Sequence, residues 1–118
     1  MKRSIFVLIL AAVALVAAAD SSYYFNQARR YINDAERCEQ DALRYERQAQ
    51  QYNDDARRYT READYYTRNN RPDQARSYQK RATEASEKAR SYQRKAEEER
   101  SNMKTKLRYA KDALDNVR

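Results

Sequence analysis

One thiol, eleven phenols and a recurring row of guanidinium groups are the chemically distinctive side chains of this sequence. The thiol is Cys38. In an oxidising compartment, a cysteine with no internal partner either links two chains, here as Cys38–Cys38, or serves as a small buried apolar residue. The phenols are open to oxidative coupling into dityrosine. Tyr23, Tyr24, Tyr65, Tyr66 and Tyr109 would be the reachable ones, because they fall at or near the ends of the elements derived below; the plainer use of most tyrosines is packing. Arg30, Arg37, Arg44 and Arg58 recur at multiples of seven, so a helix would set them in one stripe able to track an acidic polymer. Glu36, Asp54 and Asp64 lie on neighbouring stripes, which mixes the field and favours an ordinary solvated face.

Catalysis has little to draw on. There is no histidine for general-base work or metal ligation, and no glycine for a phosphate-cradling loop. Glu97-Glu98-Glu99 is the only run of carboxylates, and on a helix those side chains diverge. The sequence predicts no enzyme, no cofactor and no metal centre.

The elements that must carry these groups are helices. The chain has 118 residues, enough for one small domain, with 36% charged residues, no Gly, no Trp and a single Pro. Good helix formers dominate, and the turn glycines and β-branched runs of a sheet protein are missing beyond the N-terminal segment. That segment reads separately. Lys2 and Arg3 precede fifteen apolar residues, Ile5 to Ala19, which end in Ala17-Ala18-Ala19. This is the pattern of a signal peptide over 1–19. The other reading, an uncleaved anchor, falls short of the roughly 20 apolar residues a spanning helix needs. No membrane span is expected in the mature chain, 20–118, which holds 23 basic and 18 acidic residues. Its location would be extracellular, or periplasmic in a Gram-negative source.

Alanine returns every seven residues at 28, 35, 42, 49, 56 and 63, and tyrosine follows three later at 31, 45, 52, 59 and 66. The repeat resumes at Ala75, Ala82, Ala89 and Ala96, continues through Met103 and Ala110, and reaches Val117. Between Ala63 and Ala75 the phase breaks at Asn69-Asn70-Arg71-Pro72-Asp73. Asparagine can end a helix in the left-handed conformation, and proline suits the first turn of the next. The spacing predicts helices over 22–69 and 72–117 joined by a turn at 69–73, with Ser22 as N-cap.

With the alanine position labelled a and the tyrosine position d, the chain folds back as an antiparallel coiled-coil hairpin. Its layers set Tyr66 with Ala75, Ala63 with Tyr78, Tyr59 with Ala82, Ala56 with Ala85, Tyr52 with Ala89, Ala49 with Tyr92 and Tyr45 with Ala96. Farther from the turn come Cys38 with Met103, Tyr31 with Ala110 and Ala28 with Ala113. Each seam tyrosine meets a small residue, whereas a parallel dimer would set Tyr on Tyr and Ala on Ala. The g positions agree: Glu62 falls near Arg81 and Asp55 near Lys88, and on the other flank Glu39 falls near Arg100. Two layers look loose, Ala42 with Glu99 and Ala35 with Lys106. This all-α arrangement resembles the Alacoil, an antiparallel coiled coil with alanine at one seam position. It is a packing motif rather than a family and implies no activity.

The e positions far from the turn are apolar: Phe25, Ile32, Leu107 and Leu114. They form either a clamp within one hairpin or a docking stripe for a second, since an alanine seam buries little and small cores often need oligomerisation. The basic surplus of the second helix could suggest a membrane-active peptide, but such helices carry Trp, Phe or Leu where this one carries Ala and Tyr. The sequence therefore predicts a secreted, non-catalytic structural protein of an extracellular secretion or matrix, partnered by itself and by other extracellular proteins. The alternative is a soluble cationic binding module for an acidic polymer or anionic surface.

Overall fold

The computed structural model describes residues 22–117. The expected signal peptide, 1–19, lies outside the described residues. Two long helices account for nearly all of them: α1, Ser22–Arg68, and α2, Pro72–Asp115. No strand occurs among the described residues, and no helix among them is long and apolar enough to cross a membrane.

Both helices run unbroken because nothing in them opposes the conformation. Glycine is absent, and the sole proline stands at the first position of α2, where its missing N–H is not needed. The threonines, poorer helix formers, are accommodated by bonding backwards: the Oγ1 of Thr60, Thr67, Thr83 and Thr105 donates to the carbonyl four residues earlier at 2.9–3.2 Å.

The turn closes as a Schellman cap. Arg71 N–H donates to the Tyr66 carbonyl at 2.9 Å and Asn70 N–H to the Thr67 carbonyl at 3.3 Å. Asn70 adopts φ 57°, the left-handed region that asparagine tolerates better than other residues with a Cβ. The Asn69 amide adds a bond to the Tyr65 carbonyl at 2.8 Å. The first helix thus ends one residue before the expected boundary, since the cap takes Asn69. The second ends two before its boundary. There, the Asn116 and Val117 N–H groups turn inward to carbonyls three residues back, Ala113 and Leu114. Ser22, expected as the cap of α1, is already helical.

The chain forms two compact units. The turn unit is Ala42–Glu97, and the terminal unit combines the described residues before Ala42 with those after Glu97. Within each, the helices touch in antiparallel order: Tyr45 with Tyr92 and Tyr66 with Tyr78 in the turn unit, Tyr31 with Tyr109 in the terminal unit.

The cores differ in kind. Every buried apolar side chain of the turn unit is alanine: Ala42, Ala49, Ala56, Ala63, Ala75, Ala85, Ala89 and Ala96. Each such methyl contributes at most about 1 kcal/mol by burial. The terminal unit buries Ile32 and Met103 among Ala28, Ala35, Ala110 and Ala113. Ala35, expected to face a loose layer, is fully buried. Lys106 leaves that seam: its Nζ lies 3.9 Å from Asp34 Oδ2 and 5.7 Å from the Tyr31 ring centre.

Candidate functional site

In an antiparallel pair of heptad helices, the d positions of both chains lean toward one edge, flanked by g, and the a positions lean toward the other, flanked by e. With tyrosine at d and alanine at a, one edge of the turn unit is aromatic and the other is shallow. Tyr45, Tyr52, Tyr59 and Tyr66 of α1 and Tyr78 and Tyr92 of α2 are all half-buried.

The rings interleave. Tyr92 stands between Tyr45 and Tyr52, with centroids 6.0 and 5.6 Å away and planes 29° and 6° apart. Tyr78 stands between Tyr59 and Tyr66 at 6.1 and 5.5 Å, with planes 36° and 12° apart. The seam tyrosines therefore pack on each other across the helices as well as over alanine. Each such aromatic pair contributes about 0.5–1.5 kcal/mol beyond area burial.

Cations cover the rings. Lys88 Nζ lies 5.4 Å from the Tyr52 centre, Lys95 Nζ 4.9 Å from Tyr92, and the Arg81 guanidinium 5.1 Å from Tyr78. Lys88 and Arg81 are the g-position charges expected to pair with Asp55 and Glu62 across the helices. Asp55 instead meets Arg58 of its own helix at 3.5 Å, while Lys88 and Arg81 lie on rings. The physical reason is proximity. A g-position stem rises beside the d-position tyrosine and reaches the ring face with its head in water, a contact worth about as much as an exposed ion pair.

The arginine stripe divides. Arg44 and Arg58 lie over Tyr45 and Tyr59 at 5.2 and 5.1 Å, joining the aromatic edge. Arg30 and Arg37, in the terminal unit, are exposed.

Phe25, Ile32, Leu107 and Leu114 come together in the terminal unit. Ile32 is 0% exposed, and the other three are partly buried against the same cluster. Their contacts make an intrachain clamp, and Ile32 has no surface to offer a second molecule.

Cys38 is half-buried and packs against that cluster, which also holds Met103. Burial pushes its thiol up from the ordinary value; a hydrogen bond to Glu99 and the negative charges of Glu99, Asp41 and Asp34 push it further. A thiolate is the attacking form in disulfide formation, so this setting slows the chemistry that an interchain link requires.

The tyrosines near the ends differ in access: Tyr23, Tyr65 and Tyr109 are exposed, at 65%, 59% and 41%, whereas Tyr24 and Tyr66, edge-on neighbours of the first two, are half-buried.

The opposite edge of the turn unit carries features that heptad reading passed over. Its e positions are small or polar, and they leave open hollows of about 500 and 540 Å³ beside the alanines. Thr67, Ala75 and Gln79 line the first, and Asn53, Ala56, Thr60 and Ser86 the second. The signal was present in the absence of any large residue at these e positions, but a coiled-coil reading attends to a, d and charge.

No protein family matches this chain, and no curated protein or solved structure is significantly similar to it.

Proposed function

We propose that the protein is a secreted, non-catalytic structural protein that works by association, built as an antiparallel coiled-coil hairpin with an alanine seam of the Alacoil type. The observation that carries this reading is the aromatic edge. Six tyrosines pack ring against ring in two trios and remain half-exposed. Aromatic surface of this kind is enriched where proteins meet one another. The all-alanine core of the turn unit supports the same reading, because a core so thin gains from further burial between copies. The apolar N-terminal segment with its small-residue cleavage pattern supports export.

The test is sedimentation equilibrium of the purified protein, with and without reductant, at low and high salt. Assembly through apolar and aromatic surface predicts an oligomer that survives both reductant and high salt. A monomer under all conditions would sink the proposal.

A second reading, a binding module for an acidic polymer, is favoured by Arg81, Lys88 and Lys95 standing over stacked rings. Stacking surfaces bordered by cations suit single-stranded nucleic acid and other acidic polymers. That binding would weaken steeply as salt rises, whereas self-association would not.

A further inference from the structure

The row of d-position residues in the turn unit is tyrosine throughout, with one exception, Ala85. The interleaved order along the edge is Tyr45, Tyr92, Tyr52, then Ala85, then Tyr59, Tyr78, Tyr66. Everywhere else along it, two tyrosines of α1 one heptad apart hold a tyrosine of α2 between them. Between Tyr52 and Tyr59 the α2 row supplies only the Ala85 methyl group, with the Lys88 ammonium beside the Tyr52 ring. One heptad of helix rises about 10.5 Å, twice the separation of stacked rings, so the vacancy is one ring thick.

A hollow of about 140 Å³ occupies this place, walled by Tyr52 and Tyr59 with Ala85 on its lining. A protein cavity of about 150 Å³ is sufficient to admit benzene. The charges around the hollow are Arg81 and Lys88 against Asp55 and Glu84, which sum to nothing. The lining by itself therefore carries no net charge. Lys88, on the lining, lies over Tyr52 at 5.4 Å, and Arg58 lies over Tyr59 at 5.1 Å, so an incoming ring takes the place of the Lys88 ammonium on Tyr52.

We propose that this gap is a binding site for a single uncharged planar aromatic ring of the phenol class, inserted between Tyr52 and Tyr59 in the place that Ala85 leaves empty. The inserted ring completes the row, meeting a tyrosine face on each side as Tyr92 and Tyr78 do. A phenol matches better than a plain hydrocarbon because the hollow opens at the edge, where a hydroxyl stays in water. Two sources supply such a ring: a free small phenol, or an exposed tyrosine of a second copy. The site is defined by the gap, so it stands whether or not the chain self-associates.

The experiment is a proton NMR titration of p-cresol with dilute protein, beside sedimentation of the protein alone. Wild type is expected to bind p-cresol saturably, with upfield shifts of its ring protons and contacts to the Ala85 methyl. The non-aromatic analogue 4-methylcyclohexanol should bind at least about tenfold more weakly, the equivalent of the two stacked contacts it cannot make. Ala85→Tyr fills the gap with the protein's own ring and should abolish binding; circular dichroism checks that it stays helical. Should that variant lose helicity, Tyr59→Leu serves instead, removing one wall and weakening binding several-fold, while Tyr66→Leu, outside the gap, leaves it unchanged. Saturable p-cresol binding by a monomer assigns the ring to a free ligand. A wild-type dimer that Ala85→Tyr dissociates assigns it to a tyrosine of a second copy. The proposal is overturned if neither occurs, if Ala85→Tyr binds as wild type does, or if affinity falls steeply with salt, which would mark an anion site.

Discussion

The turn unit and the terminal unit share one heptad pattern and solve the problem of a thin core in opposite ways. The terminal unit fills its e positions with Phe25, Ile32, Leu107 and Leu114 and gathers them around buried Ile32 and Met103. The turn unit leaves its e positions small or polar, buries no apolar side chain larger than alanine, and places its apolar mass in the tyrosine row on the other edge. One unit spends its large side chains on the interior, and the other keeps them where a partner could reach them. A packed apolar core and an exposed aromatic row thus fall on different stretches of the same two helices.

Substitutions can break or sharpen that contrast. The largest effect should come from Ile32→Ala, because Ile32 has no exposed surface and its loss leaves a cavity. A loss of about 2–4 kcal/mol is expected by urea denaturation; a loss under about 1 kcal/mol would mean the terminal unit is no better packed than the turn unit.

Next in size is Tyr92→Leu, which removes two stacked contacts and a ring shared with Lys95. About 1–3 kcal/mol should be lost. Tyr92→Phe keeps the stacking and should fall close to wild type. Equal damage from Phe and Leu would show that the hydroxyl, rather than the ring face, holds the turn unit together.

The smallest effect concerns Cys38. Its folded pKa is raised, so the folded state favours the neutral thiol. The resulting stabilisation is fully present below the ordinary value of 9.0 and is lost as pH rises through the folded value. At mildly alkaline pH, iodoacetamide should alkylate native protein more slowly than the unfolded chain. Faster alkylation of native protein would show a thiolate favoured by the fold and would support an interchain disulfide.

Much of the fold was legible in the residues. A chain without glycine, with one proline beside two asparagines, has one place to stop a helix and start another. The exact ends were less legible, because the Schellman bonds from Asn70 and Arg71 depend on backbone geometry that residue types only permit. The candidate site was legible in part. The tyrosine period was plain, but the layers as read set each tyrosine over an alanine. That view considers one level at a time and misses the ring on the next level, half a heptad away. Lys88 and Arg81 lie on rings rather than against Asp55 and Glu62 for a related reason: an exposed acid and an exposed ring compete for the same cation on nearly equal terms, and local distance decides.

The sequence by itself determined that the described chain would be two long helices with alanine at one heptad position and tyrosine at another, because helix propensity and a seven-residue period act locally and need no partner. Tertiary structure alone decided that the tyrosines of the two helices interleave on one edge, that Lys88 and Arg81 lie on rings instead of against Asp55 and Glu62, and that Ala85 leaves a gap one ring thick. Those outcomes depend on where the second helix stands relative to the first. That placement is set by small differences among packing, stacking and charge, summed over the whole contact.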